Sequence, residues 1–209
     1  MLDQALKSRF SKRLVTNAVG FDVLVGDHKT NLFSELKSGM VVCEIGAGAG
    51  INLKYFPSDI IYFGLEPNIL LTESLNREIE KTGLKRAEIF KSEAESIPLN
   101  DNSVDFVVST FTFCSIKNQE KVFNEIRRVL KPEGKLLFFE HIISDKHLLR
   151  VIQYIVRPFS KILACNCDPA QDLLKVMSKN NFKVVKINYL NFKKAFFLNP
   201  NILGVAIKN

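Results

Sequence analysis

The stretch Met40–Gly50, MVVCEIGAGAG, decides the fold. Its apolar residues carry one carboxylate, Glu44, and the run breaks into glycines at alternate positions, Gly46, Gly48 and Gly50. A short apolar run ending in glycines reads as a buried strand followed by a tight turn. Four similar runs follow: IIYFGLE (60–66), AEIFK (87–91), VDFVVST (104–110) and GKLLFFEH (134–141). Helical patterns at 51–56, 68–82, 93–97 and 117–130 separate them. Near-continuous apolar strands alternating with helices predict a parallel sheet covered on both faces, an open α/β fold.

The pattern differs at the two ends. Residues 2–19 and 30–37 read as two helices, the second closed by Gly39. Residues 168–180 read as a helix, and FKVVKINYL (182–190) and NILGVAIKN (201–209) as two strands. A short link between them makes a hairpin. Five parallel strands plus a C-terminal antiparallel hairpin give seven. We expect one domain over 1–209: a helical cover (1–38), a core (39–141), inserted helices (142–181) and the hairpin (182–209).

Composition narrows the class. The 209 residues are 46% hydrophobic and 24% charged, which excludes disorder, collagen and a disulfide mini-protein. Of the four cysteines, Cys43 lies in an apolar run and Cys165 and Cys167 are two apart, so reduced thiols in a cytoplasmic protein are expected. The N-terminus lacks the apolar region of a signal peptide, and no stretch predicts a spanning helix. The net charge of +7 is uneven: −2 over residues 1–145 and +9 over 146–209. A basic field attracts phosphate, lipid surfaces or nucleic acid; the plainer reading is a solvated lysine-rich face.

The glycines lie at the carboxyl end of the first strand, where open α/β sheets bind ligands. Glu44 beside them repels a pyrophosphate and attracts a cationic ligand, such as a sulfonium nucleoside. Glu66 ends the second strand, 22 residues on, where a carboxylate can accept both hydroxyls of a ribose. Glu93 and Ala94 follow the third strand, where an acid and a backbone N–H can read adenine. Each acid has a structural alternative. Glu44 could be a core-edge carboxylate, Glu66 a surface acid before Pro67, and Glu93 a first-turn helix acid.

These segments, VVCEIGAGAG, GLEPN, EAESIPLNDNSVDFVVS and NEIRRVLKPEGKLLFFEH, resemble the successive motifs of class I S-adenosylmethionine-dependent methyltransferases. CSIKNQEKVFNEIRRVLKPEGKLLFFEHI (114–142) and NPNILGVAIK are most similar to the branch containing animal thiol S-methyltransferases. The resemblance implies the seven-stranded Rossmann-like sheet, S-adenosylmethionine as cofactor and S-adenosylhomocysteine as product. It implies that the loop Glu44, Gly46, Ala47, Gly48 and Gly50 holds the methionine end. Glu66 binds the ribose, Pro67 and Asn68 shape the adenine side, and Glu93 and Ala94 read the base. Thr110 and Phe111 lie along the cofactor near the methyl. Two positions depart from the pattern. Glu93 replaces the usual Asp, and Asp168–Pro169 stands where thiol-methylating members carry Thr-Arg.

The expected acceptor is a small, hydrophobic molecule: a thiol, quinol or lipid. In-line methyl transfer depends mainly on alignment, and a soft nucleophile needs no dedicated base. His141, ending the fifth strand, is the one candidate base; a structural histidine is the alternative. Three scattered histidines give no metal spacing, and the Cys-x-Cys is a weak redox or metal signal, so no metal is expected. Residues 145–163 place Leu148, Val151, Ile152, Ile155, Phe159 and Ile162 opposite Lys146, Arg150, Gln153, Arg157 and Lys161, with Pro158 expected to kink or split the helix. This segment is a lid over the acceptor, a membrane-surface contact or an ordinary packed helix. Phe10, Phe21 and Asp22 are expected to cover the cofactor. The competing functions are an RNA methyltransferase using the basic C-terminal third, a non-catalytic scaffold and a nicotinamide oxidoreductase. No appended RNA-binding domain supports the first of these, so a nucleic-acid partner is not expected. Oligomeric state is not legible.

Overall fold

The computed structural model describes residues 4–164 and 166–209. Seven strands form one mixed sheet in the order β3-β2-β1-β4-β5-β7-β6, flanked by helices. They are β1 (Val41–Ile45), β2 (Ile61–Leu65), β3 (Arg86–Phe90), β4 (Val104–Thr110), β5 (Leu130–His141), β6 (Phe182–Leu190) and β7 (Asn201–Lys208). All seven runs predicted as strands form strands. The chain divides into two compact units, Met1–Glu93 and Ala94–Asn209.

In the first unit, β1 pairs in parallel with β2, and β2 with β3. Before β1 comes α1 (Gln4–Phe33), a single helix where two were expected. No proline interrupts it, and Gly20 and Gly26 weaken a helix interior without ending it. The chain turns only at Gly39, whose φ of 75° is left-handed. Residues 51–56 supply just a 3-10 turn, Leu53–Tyr55. α2 (Ile69–Thr82) starts at Asn68, whose side chain accepts from the Leu70 N–H, and stops at left-handed Gly83. Phe33 packs edge-on to Phe56, 5.0 Å between centroids.

In the second unit, β5 runs parallel to β4 and antiparallel to β7, and β6 pairs antiparallel with β7. The predicted helix at 93–97 does not form. Arg128 holds that loop instead, donating to the carbonyls of Ile97 and Leu99 and to Asp101. The Pro-Glu-Gly turn is absorbed as an irregularity of β5, where the register shifts between Val104 and Phe106 of β4. α3 (Gln119–Val129) buries Val122, Phe123, Ile126 and Val129, one helical face, and Phe123 stacks on Phe113 at 4.9 Å. α4 (His147–Leu163) runs as one helix through Pro158, so of the expected kink or split the split does not occur, and α5 is Leu173–Lys179.

Gly204 of β7 sits opposite Phe138 and beside the β6 irregularity. A Cβ there would lie 2.1 Å from the Lys186 carbonyl oxygen and 2.8 Å from Phe138. Gly20 in α1 has no atom within 4 Å of such a Cβ. Gly204→Ala should therefore cost at least about 3 kcal/mol. Gly20→Ala should gain about 0.5–1 kcal/mol. Urea denaturation of both variants checks the pair; a stable Gly204→Ala protein would contradict the described pairing of β6 with β7.

Candidate functional site

The first unit carries the glycine loop. Gly46, Gly48 and Gly50 all have left-handed φ, between 57° and 80°, which a side chain would oppose at each alternate position. A Cβ on Gly50 would also meet Leu75 and Glu78 at 3.0 Å, so the loop packs directly on α2. Glu66 fixes the loop from the end of β2. Its Oε2 accepts the Gly48 N–H at 2.9 Å and its Oε1 the Asn68 N–H at 2.8 Å. Each oxygen keeps a further lone pair for another donor. Burial raises the Glu66 pKa, and the two backbone N–H groups oppose that rise.

Glu44 lies deeper. It is fully buried and receives the Tyr62 hydroxyl at 2.7 Å and the Asn52 amide at 2.5 Å. Burial pushes it up to about 7, against the pull of those two donors and of Lys29. A half-ionised carboxyl at neutral pH, beside the glycine loop, suits a cationic group better than a phosphate. Asp22 ties α1 to the segment after the loop through Lys54 (2.7 Å) and the Tyr55 hydroxyl (2.9 Å), and it also pairs with Lys29 (2.6 Å) on α1 itself. Burial raises its pKa, but the lysine and tyrosine partners outweigh that and hold it below the usual carboxylate range. The Phe10 side chain lies outside the described residues. Glu93 is exposed, in the loop after β3.

The second unit opens with buried Ala94. Thr110 ends β4, and Phe111 follows with a left-handed φ of 53°, its N–H bonded to the Phe139 carbonyl at 2.8 Å and its ring 4.8 Å from that of Phe139. Glu140, buried on β5, enforces this strained turn. One oxygen accepts from the Ser109 hydroxyl and from the Thr112 and Phe113 N–H groups, at 2.8–3.1 Å. Sequence reasoning missed Glu140, because an acid inside an apolar strand looks like any core-edge carboxylate.

His141 is 2% exposed. Its Nε2 lies 3.4 Å from Cys167 Sγ, and its Nδ1 has no hydrogen-bond partner among the described residues. Cys114, just past β4, completes a group whose ligating atoms all lie within 4.8 Å of one another. The neighbouring Cys167 and burial hold the Cys114 thiol well above its usual pKa. Cys165 lies outside the described residues. Cys114 also lines a pocket of ≈ 450 Å³ with Lys117, Gln119, Arg157, Asn166 and Gln171.

α4 is packed with Gln153 and Ser160 inward. Gln153 is fully buried; its amide N–H groups reach the carbonyls of Ile142, Phe197 and Asn199, and its oxygen accepts the Ser144 N–H. Leu148, Val151, Ile155, Phe159 and Ile162 are 40–79% exposed. In this conformation these side chains face solvent. No helix among the described residues is long and apolar enough to cross a membrane.

Comparison with known proteins extends this picture. Residues 43–138 match the family described as Methyltransferase domain. The chain is 29% identical over 212 residues to thiol S-methyltransferase TMT1A of Homo sapiens, covering 97% of this chain and 87% of that protein. Thiol S-methyltransferase TMT1B of Rattus norvegicus is 28% identical over 190 residues, 86% of this chain and 78% of its own. The solved structure of YcgJ from Bacillus subtilis shares the fold, with a TM-score of 0.71 at 17% identity over 88% of this chain and 99% of that one.

The Glu44 geometry makes a pH prediction. Between its ordinary value near 4.5 and about 7, the folded protein keeps a proton that the unfolded chain has released. This residue's contribution to stability therefore falls as pH rises through that window and is flat above it. Glu44→Gln should make the decline in urea midpoint between about pH 5 and about pH 8 shallower. An unchanged slope would place the titration elsewhere.

Proposed function

We propose that the chain is a class I S-adenosylmethionine-dependent methyltransferase related to the thiol S-methyltransferases, and that its acceptor is a small, membrane-soluble thiol. The observation that carries this reading is the reach of the TMT1A alignment. It runs over 97% of the chain, through the region after β5, and not over the cofactor half alone.

The residues fit the cofactor. Three left-handed glycines leave the loop without side chains at alternate positions, Glu66 accepts one N–H of that loop and keeps acceptor capacity, and Glu44 supplies a buried carboxyl next to it. S-adenosylmethionine supplies a methyl on a positively charged sulfur. On this reading, Gly46–Gly50 and Glu44 receive the methionine end and Glu66 the ribose hydroxyls, with Pro67 and Asn68 beside the base and Glu93 accepting the adenine amine. A thiolate acceptor attacks without a proton moving in the transfer step, so His141 need not be a base.

α4 bears on where the acceptor is met. Its exposed apolar strip, flanked by Lys146, Arg150 and Lys161, has the form of a helix that lies in a lipid interface. Phe196, 61% exposed in the segment packed on α4, extends the apolar surface. The net charge of +9 over residues 146–209 selects an anionic surface.

Three experiments test the reading. A methyl-release assay should find turnover on small alkyl or aryl thiols above that on quinols, phospholipids and RNA, and Glu66→Ala should weaken S-adenosylhomocysteine binding about tenfold or more by calorimetry. RNA as the sole acceptor would overturn the assignment. In flotation, the protein should bind phosphatidylglycerol vesicles, and Ile155→Glu with Phe159→Glu should abolish binding; wild-type protein left unbound would exclude the membrane role.

A further inference from the structure

We propose that Cys114, His141 and Cys167 form a three-ligand site for a thiophilic divalent cation, zinc in the first instance. The three come from separate places: the turn after β4, the last residue of β5 and the loop after α4. Their ligating atoms nevertheless lie within 4.8 Å of one another, and two of the three residues are buried. The edge between His141 and Cys167 has the length a metal would set. Tetrahedral zinc, with Zn–S near 2.3 Å and Zn–N near 2.05 Å, sets N···S at about 3.5 Å; Nε2 to Cys167 Sγ is 3.4 Å. Two thiols and an imidazole also suit zinc among the common divalent ions.

The surroundings hold the ligands in place. Gln171 donates to the His141 carbonyl at 2.8 Å, and the Asp168 N–H bonds the Cys114 carbonyl at 2.8 Å, which joins the Cys167 loop to the other two ligands. Asp168 itself is taken by Arg157, at 2.6 Å, and is not a fourth ligand. Cys114 lines the ≈ 450 Å³ pocket, so the fourth position opens to a space that admits a small molecule. Three protein ligands and one open position is the arrangement of catalytic rather than structural zinc.

A consequence rests on the thiol reading above. The open position takes the acceptor as a thiolate, its proton leaving to solvent on binding. The later step forms one S–C bond, breaks the methyl–sulfonium bond and moves no proton.

Cobalt(II) titration into reduced, metal-free protein under anaerobic conditions tests the site. The expected result is a thiolate-to-cobalt charge-transfer band with visible bands of tetrahedral intensity, displaced by one equivalent of zinc. Cys114→Ser, Cys167→Ser and His141→Ala should each weaken binding about tenfold or more, while S-adenosylhomocysteine binding reports that each variant is folded. Cys165→Ser should leave the spectrum unchanged. No charge-transfer band, or a band lost with Cys165→Ser and kept with Cys114→Ser, overturns the site. A shift of the band on adding a small thiol supports the open position, and no shift overturns it. Failure of thiol turnover with an intact cobalt spectrum removes the acceptor reading and leaves the metal site.

Discussion

The first unit depends on one carboxylate. Glu66 accepts the N–H of Gly48 from the glycine loop and that of Asn68 from the start of α2. It thereby joins the end of β1, the end of β2 and the next helix. A loop of three left-handed glycines is entropically expensive, since glycine loses the most freedom on ordering. The buried, charge-assisted bond to Gly48 offsets part of that loss. The same oxygens keep lone pairs for a ligand, so the group that shapes the loop is also able to bind there. Glu140 has the matching part in the second unit, where it holds the N–H groups of Thr112 and Phe113 behind left-handed Phe111.

The strands were legible because buried parallel strands are nearly uninterrupted apolar runs. Helix ends were legible where a cap exists, at Asn68 and Asn118. Two kinds of feature were not. Residues 93–97 have a weakly helical pattern, but their backbone partners come from Arg128, over thirty positions away, and no local rule contains that contact. α1 was split at residues 20–30 because glycine and polar side chains lower helix propensity there. The buried Asp22–Lys29 pair, two turns apart on that helix, binds across the gap.

The candidate site was half legible. Glu44, Glu66 and the glycines are close in sequence to the strand ends that place them. The cluster of Cys114, His141 and Cys167 is not, because its members are 27 and 26 positions apart and only the folding of the second unit joins them. The visible signal, the Cys-x-Cys of Cys165 and Cys167, read only as a weak metal or redox motif. The contact of Cys167 is with His141, and the imidazole that read as an isolated base is shielded by two sulfurs.

The orientation of α4 follows from hydrogen bonding and not from apolar burial. The carbonyls of Ile142, Phe197 and Asn199 and the Ser144 N–H converge on one spot, and Gln153 meets all four. Turning the helix by half a revolution would bury its apolar strip at the expense of those groups, each costing about 1–3 kcal/mol if left without a partner. Arg157 would also lose Asp168. The polar contacts therefore win in the isolated protein, and the apolar strip is left outward as a fixed property of the fold. A strip held out by four hydrogen bonds is already outward, so the docking we propose would need no rotation of α4.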